Sequence, residues 1–189
     1  MHLSGEVVKE LIEKQGLVKK FSSVKDQLTA NGFDMRLAAI VEVDEGGYLA
    51  VSKERNVSPR LGRAFVLKGF EDRLKGYDLK ETIILDAEPV TLERLRTYLV
   101  ITCEEVDTPK NLMFHIVPRS SVFRMTHSLL GCSVGEAGYK GFLTFMLVPF
   151  LESKIELGSR FAQLCWSELR GEGSYEGQKE TNYQGGKLF

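Results

Sequence analysis

Metal-binding and nucleophilic side chains are scarce in this sequence. Its 189 residues hold three histidines, three cysteines and one tryptophan. His2, His115 and His127 are isolated from one another, and Cys103, Cys132 and Cys165 are far apart. That spacing makes neither a disulfide framework nor a zinc knuckle, so the cysteines read as reduced, mostly buried thiols and no zinc is expected. A Walker A loop, a dinucleotide-binding glycine fingerprint, His-Glu-x-x-His, Gly-x-Ser-x-Gly and the zinc-deaminase His-x-Glu…Pro-Cys-x-x-Cys pattern are all missing. Charge of one sign is lacking too. Lys plus Arg number 25 against 26 Asp plus Glu, a net charge of −1, which argues against nucleic acid as a partner. No apolar run approaches the ~20 residues that span a bilayer, and the first residues carry no signal-peptide core. A cytoplasmic protein without a membrane partner is expected.

What is present is an ordinary globular composition, 43% hydrophobic and 27% charged, of a length that suits a single domain over residues 1–189. Ser4 is placed to cap a short helix within residues 1–16, with Val7, Val8, Leu11 and Ile12 on one face and Gly16 at its end. It is the only convincing helix in the pattern. From Phe33 onward short β-branched and aromatic segments alternate with turn residues. The expected strands are 34–43, 48–52, 63–67, 82–86, 98–104, 112–117, 141–148, 154–157 and 160–167, with Gly46-Gly47 and Leu157-Gly158-Ser159 as hairpin-type turns. Many short strands at close spacing predict an all-β sandwich or barrel. Residues 53–80, rich in charge and punctuated by Pro59, Gly62, Gly69 and Gly76, also fit an excursion loop.

Residues 171–189 change character. Five glycines stand among Tyr175, Gln178, Asn182, Tyr183 and Gln184. Two readings follow: a frayed tail, or a mobile lid that closes over a ligand with its amides and tyrosines.

Two motifs suggest chemistry. Pro118-Arg119-Ser120-Ser121-Val122-Phe123-Arg124 sets two guanidiniums around a pair of hydroxyls. Arginine's fork of donors matches phosphate oxygens, so this is a candidate polyphosphate clamp. Glu136-Ala137-Gly138-Tyr139-Lys140-Gly141 then places a carboxylate before a Gly-Tyr turn and a new strand. A carboxylate near a phosphate clamp can orient a water or hold a metal ion.

These motifs, with others in order, resemble those of the dCTP deaminase and dUTPase superfamily. Asn31-Gly32-Phe33-Asp34-Met35-Arg36-Leu37 is similar to its early Asp-x-Arg-Leu strand, and Glu105-Val106-x-x-Pro109-x-x-Leu112 precedes Arg119 at the family's spacing. Arg119-Ser120-Ser121-x-x-Arg124 resembles the phosphate-binding motif, and Glu136-x-Gly138-Tyr139-x-Gly141 the Asp-x-x-Tyr/Trp-x-Gly turn. Gly158-x-Arg160-Phe161-Ala162-Gln163-Leu164 resembles the later Gly-x-Arg-Ile-Ala-Gln-Leu strand, and Tyr175 with Tyr183-Gln184-Gly185-Gly186 the tail that folds over the nucleotide. The resemblance covers nearly the whole chain and is weakest over 53–80. It implies a distorted jelly-roll-like β-sandwich of the dUTPase-like type, a homotrimer with sites between subunits, and a deoxynucleoside triphosphate (dCTP or dUTP) as small-molecule partner, carried with Mg²⁺. It assigns nucleotide binding to Arg119, Ser120, Ser121, Arg124, Tyr175, Asn182 and Gln184, and a catalytic role to Glu136.

The chain departs from the deaminase pattern at one telling position. In dCTP deaminases the strand after the Gly-Tyr/Trp-x-Gly turn reads Thr-Leu-Glu-Leu, and its Glu is the general acid/base. Here it reads Thr144-Phe145-Met146-Leu147. A thioether neither takes nor gives a proton at neutral pH, and no acid lies between Gly141 and Leu151. Glu136 also replaces the family's usual Asp. Four outcomes follow: a deaminase converting dCTP to dUTP, a pyrophosphohydrolase splitting dUTP with Glu136 and Mg²⁺, a nucleotide-binding relative without catalysis, or an interaction protein with no nucleotide.

Overall fold

The computed structural model describes residues 1–178 and 183–189. The first helix, α1 (Gly5–Gln15), begins where Ser4 accepts from the Val7 amide at 3.5 Å and ends at Gly16, whose φ of 68° is left-handed. Val8 and Ile12 are buried beneath it and Val7 is exposed. A second short helix, α2 (Val24–Gln27), lies between β1 (Val18–Lys19) and β2 (Leu28–Thr29). The long β3 (Gly32–Glu45) follows, then β4 (Arg60–Leu67), β5 (Glu81–Leu85), β6 (Pro89–Leu92), β7 (Tyr98–Asp107) and β8 (Leu112–Pro118). A third helix, α3 (Ser120–Thr126), precedes β9 (Ser128–Gly131), β10 (Val134–Gly135), β11 (Lys140–Pro149), β12 (Ser153–Glu156) and β13 (Arg160–Glu168).

Among the described residues eleven strands join in one curled, almost wholly antiparallel sheet, seven along the path β10-β8-β13-β3-β7-β11-β9 and β1, β2, β4 and β5 branching from it. Its backbone is β3. The first half of β3 pairs with β13, from Phe33 opposite Leu164 to Arg36 opposite Arg160. Past a bulge at Leu37/Ala39 the second half pairs with β7, Ile40 opposite Val100. One strand thus serves two sheet segments, and a bulge of this kind increases twist and bends the strand. The curled sheet encloses a core that includes Phe33, Met35, Leu37, Phe114, Phe161 and Trp166, all below 2% exposed. The β-rich architecture expected from strand spacing is the one found.

Buried charge ties the layers together. Glu104 is fully buried in β7 and accepts from the backbone and Nε of Arg36 at 2.7 Å and from Gln27 at 2.8 Å. Burial pushes its carboxyl above the ordinary range, with Arg36 pulling the other way. Glu42 is held by both Arg63 and Arg96, at 2.7 and 3.0 Å.

Several expectations need correction. Residues 48–52 form no strand; only the isolated bridge Tyr48–Val57 joins the arm that leaves β3, and Leu49 and Val51 point to solvent. Gly46-Gly47 is therefore not a tight hairpin turn, because β3 and β4 pair across the whole excursion 46–59. Leu157-Gly158-Ser159 is a turn, Ser159 bonding back to Glu156, but it joins strands of different sheets, since β12 pairs with β6. Among the described residues two α-helices beyond α1 are found, and one carries the Arg-Ser-Ser motif; 53–55 and 71–74 form short 3₁₀ turns. Their short lengths gave no helical period to read. Among the cysteines Cys103 is buried, Cys165 is partly covered and Cys132 is exposed.

Candidate active site

The turn 136–139 is built by tertiary clamps. Tyr139 donates its amide to Glu136 O at 3.1 Å, and Gly138 adopts φ 81°. Thr108 then ties down the turn from both sides, accepting from Gly138 N at 3.1 Å and donating its own amide to Tyr139 O at 3.0 Å. The Tyr139 phenol donates to Phe142 O at 2.6 Å. Burial, with Tyr175 beside it, pushes this phenol well above its usual range. This rigid turn presents Glu136 outward, where Gln178 Nε2 donates to its carboxylate at 2.8 Å.

The tail comes back over the turn. Tyr175 donates its amide to Ala137 O at 2.7 Å and packs edge-on against Tyr139, ring centres 5.4 Å apart. Its own hydroxyl accepts from the Tyr183 amide at 3.1 Å. Gln184 bonds the Lys140 amide at 3.1 Å, and Gly185 N donates to Lys140 O at 2.8 Å. Gly141 (φ 133°) is required here, because a Cβ would sit 2.5 Å from the Gly185 carbonyl carbon. The described tail residues are thus seated on the body of their own protomer, and Leu188 is buried, packing that composition had not suggested.

Between the turn, the tail and strands β7, β9 and β11 lies a cavity of about 670 Å³. Its floor is apolar, with Leu99, Ile116, Leu143, Phe145 and Met146; its rim carries Glu136, Gln178, Tyr183 and Lys187. Met146 faces Leu99 on one side and Gly131 on the other in the sheet register, and is 41% exposed toward this space. The position at which a deaminase acid is expected therefore does open into the cavity, and it is apolar. Among the described lining residues Glu136 is the only carboxylate.

The Arg-Ser-Ser motif lies elsewhere in the protomer. Arg119 precedes α3, its Nε 3.0 Å from the Asp34 carboxylate and its Nη1 3.2 Å from Arg160 O. Ser120 and Ser121 open α3, and Arg124 lies over the Phe123 ring at 5.6 Å. Among the described residues neither serine hydroxyl has a hydrogen-bond partner and Arg124 has no ion pair. None of the four lines the cavity. Of the residues singled out in the sequence, Glu136 and Tyr175 share one site, Gln184 braces it from outside, and Arg119, Ser120, Ser121 and Arg124 form a second cluster. Asn182 falls outside the described residues. Sequence reasoning placed Gln178 in the tail but gave it no partner, and it missed Lys187. No motif marks them; only the return path of the tail brings them to Glu136. No group of three or more His, Cys, Asp and Glu among the described residues is arranged to hold a metal ion.

A dCTP deaminase-like family model matches residues 2–169. The chain belongs to the dCTP deaminase-like family. Two archaeal relatives extend the comparison. The deoxyuridine 5'-triphosphate nucleotidohydrolase of Methanocaldococcus jannaschii is 26% identical over 154 residues, 81% of this chain and 86% of the relative. The probable deoxyuridine 5'-triphosphate nucleotidohydrolase of Archaeoglobus fulgidus is 25% identical over 183 residues, 93% of this chain and 96% of the relative. In fold, the chain is similar to the 2'-deoxycytidine 5'-triphosphate deaminase of Agrobacterium tumefaciens, with a TM-score of 0.58 at 18% identity. That match covers 87% of this chain but only 46% of the deaminase chain. Membership of this family supports a place in deoxynucleotide metabolism.

Proposed function

We propose that this protein is a dUTP pyrophosphohydrolase. The observation that carries the reading is the pairing of Glu136, the only carboxylate among the described residues lining the cavity, with Met146 on its floor. Water, deprotonated toward Glu136, attacks the α-phosphorus of dUTP. The bond from that phosphorus to the α,β-bridging oxygen breaks, and pyrophosphate leaves with dUMP as the second product. A positioned base contributes ~10²–10⁴ in rate. Deamination of dCTP, the other activity the family resemblance implied, asks for a proton carrier beside the base, and the Met146 thioether is not one. The two archaeal dUTP nucleotidohydrolases support the same choice.

Mg²⁺ belongs in this reading as a companion of the triphosphate. It keeps most of its waters and needs only one or two carboxylates beside phosphate oxygens, a demand that Glu136 can meet. The ion would neutralise charge on the phosphates as pyrophosphate departs.

Arg119, Ser120, Ser121 and Arg124 of one subunit are proposed to complete the cavity of a neighbour in a homotrimer. Their hydroxyls and the Arg124 guanidinium are unpaired among the described residues. The helix that carries them borders an exposed apolar groove of about 370 Å³ that includes Phe123, Leu129, Phe150 and Leu151, each half exposed. A neighbour seated there would bury that surface. A cytoplasmic location fits this substrate.

The test is turnover with separation of products. Incubation with dUTP and Mg²⁺ should give dUMP and pyrophosphate, and Glu136→Gln should lower that rate by ~10²–10⁴. Tight binding of dUTP without either product would instead favour the non-catalytic relative.

A further inference from the structure

The histidines stand apart in the sequence, but the fold brings two of them together. Residues 1–3 lie along the end of β13. Glu168 N donates to Met1 O at 2.9 Å and Leu3 N to Trp166 O at 3.0 Å, which sets His2 opposite Ser167. On the other side of β13, β8 runs in register, with Met113 opposite Ser167 and His115 opposite Cys165. Leu164 and Trp166 of β13 are buried, so Cys165 and Ser167 face outward between them. His2 and His115 therefore flank this outer face from opposite sides. Both are exposed, their ring centres 6.1 Å apart and their planes tilted by 57°.

His2 Nδ1 lies 2.9 Å from the Ser167 hydroxyl. In the tautomer that donates to Ser167 the proton is on Nδ1 and the Nε2 lone pair is free, the state in which an imidazole ligates a metal. The ring nitrogens of His115 have no hydrogen-bond partner among the described residues. A Zn–N bond is about 2.0–2.1 Å, so two imidazoles that share one ion have centres roughly 5–6 Å apart. A small turn of either exposed ring covers the difference, and the backbone of both residues is held in the sheet. We propose that His2 and His115 form a two-histidine site for a divalent ion that prefers imidazole, Cu²⁺ or Zn²⁺, with water completing its shell. The ion pins residues 1–3 to β8 across β13. It is distinct from the Mg²⁺ of the triphosphate, which takes oxygen ligands. Cys165 is partly covered, and burial, with the Asp34 charge adding to it, raises its thiol above the ordinary value. It stays protonated near neutral pH and is not counted as a ligand. No local motif marks the pair, because three separate strand segments bring it together.

The full chain, stripped of metal with a chelator, is titrated by calorimetry with Cu²⁺ and with Zn²⁺ at neutral pH. One equivalent should bind, Cu²⁺ more tightly than Zn²⁺, and pulsed EPR of the Cu²⁺ form should show the remote nitrogens of two imidazoles. His2→Ala and His115→Ala should each raise the Kd ~10-fold or more. Both side chains are exposed, so the metal-free variants should melt with the unaltered protein. Ser167→Ala should weaken binding about 10-fold, the lower end for a lost partner of a metal-bound histidine, and Ser167→Thr should restore it. Cys165→Ser should bind as the unaltered protein does. A Kd unmoved by either histidine variant, or several weak equivalents shared by every variant, would mean adventitious surface binding only and overturn the site. Loss of binding in Cys165→Ser would overturn the two-histidine ligand set. Nucleotide is absent throughout, so neither result depends on the dUTP reading.

Discussion

Arg119 Nε lies 3.0 Å from the carboxylate of Asp34, and the carboxylate is the buried partner, its side chain 3% exposed against 30% for the arginine. Arg160 approaches the same carboxylate at 3.4 Å. Two motifs distant in the chain are therefore one object in space: the early Asp-x-Arg-Leu strand supplies the anchor for the proposed phosphate clamp. Asp34 touches no proposed ligand position. It aims Arg119.

Asp34→Asn should leave the fold intact and weaken binding of α,β-imido-dUTP with Mg²⁺, a dUTP analogue that resists hydrolysis, because Arg119 loses its anchor. The pH dependence has a definite sign. Burial raises the Asp34 carboxyl, with Arg119 and then Arg160 opposing it. A raised carboxyl keeps its proton in the fold when the unfolded chain has lost it, so its contribution is complete below the ordinary Asp range and fades as pH rises. Urea midpoints should show the unaltered protein losing ground to Asp34→Asn as pH rises above the ordinary Asp range. An advantage that grew toward neutrality would mean that the ion pairs outweigh burial.

Gln178 holds the Glu136 carboxylate at 2.8 Å. Removing that hydrogen bond with Gln178→Ala lets the carboxylate swing on an exposed turn, and a displacement of about 1 Å can cost ~10² in rate. We expect kcat for dUTP to fall by about 10-fold or more, with stability unchanged because both side chains are solvent-facing. Rescue by Gln178→Asn would be partial, since the shorter amide falls short of its partner. A kcat equal to that of the unaltered protein would show that Glu136 needs no support.

Much of this was legible beforehand, and the failures have physical causes. Ser4 and Gly16 marked both ends of α1 because capping is local chemistry. Aromatic and β-branched composition marked β11, where half-exposed Met146 stands between buried Phe145 and Leu147. Helix α3 was missed although Val122 and Thr126 are both buried at helical spacing. Its hydroxyl and β-branched residues are indifferent helix formers, and tertiary packing decides. Residues 48–52 look like a strand by composition, but no neighbouring strand is there to pair them. Glu136, Tyr175 and Arg119 were identifiable as motif residues. Their division into two clusters was not, because register and chain reversal, not local pattern, set which side chains meet. Leu188 had no pattern at all; its burial depends on Leu74 and Tyr77, more than a hundred positions away.

Cys103 offers a test of the core that is independent of the ligand. Burial pushes its thiol up to about 12, with Glu104 adding to the effect. The unfolded chain releases this proton near pH ~8.5, so stability falls as pH rises between those values, by up to about 1.4 kcal/mol per pH unit. Urea unfolding at pH 8 and pH 10 should show a loss about 2 kcal/mol greater than that of Cys103→Ala. Equal losses in the two proteins would mean that the thiol ionises as readily inside the fold as outside.

Met146 permits the sharpest test of chemistry. It is 41% exposed toward the cavity and faces Gly131, so a glutamate there has room and reaches water. Replacing the partly exposed thioether with a carboxylate that reaches water should leave the fold standing. The unaltered protein, without a proton carrier on this floor, should release no ammonia from dCTP. Met146→Glu places a carboxylate on β11 at the position where the family's deaminases carry theirs, and proton transfer of this kind is worth ~10²–10⁴ in rate. We expect the variant to release ammonia and form dUTP from dCTP, with Met146→Gln inert as the control for size and polarity. Ammonia from the unaltered protein would show that another group carries the proton. A folded, nucleotide-binding Met146→Glu that stays silent would show that the base lies away from the floor of β11.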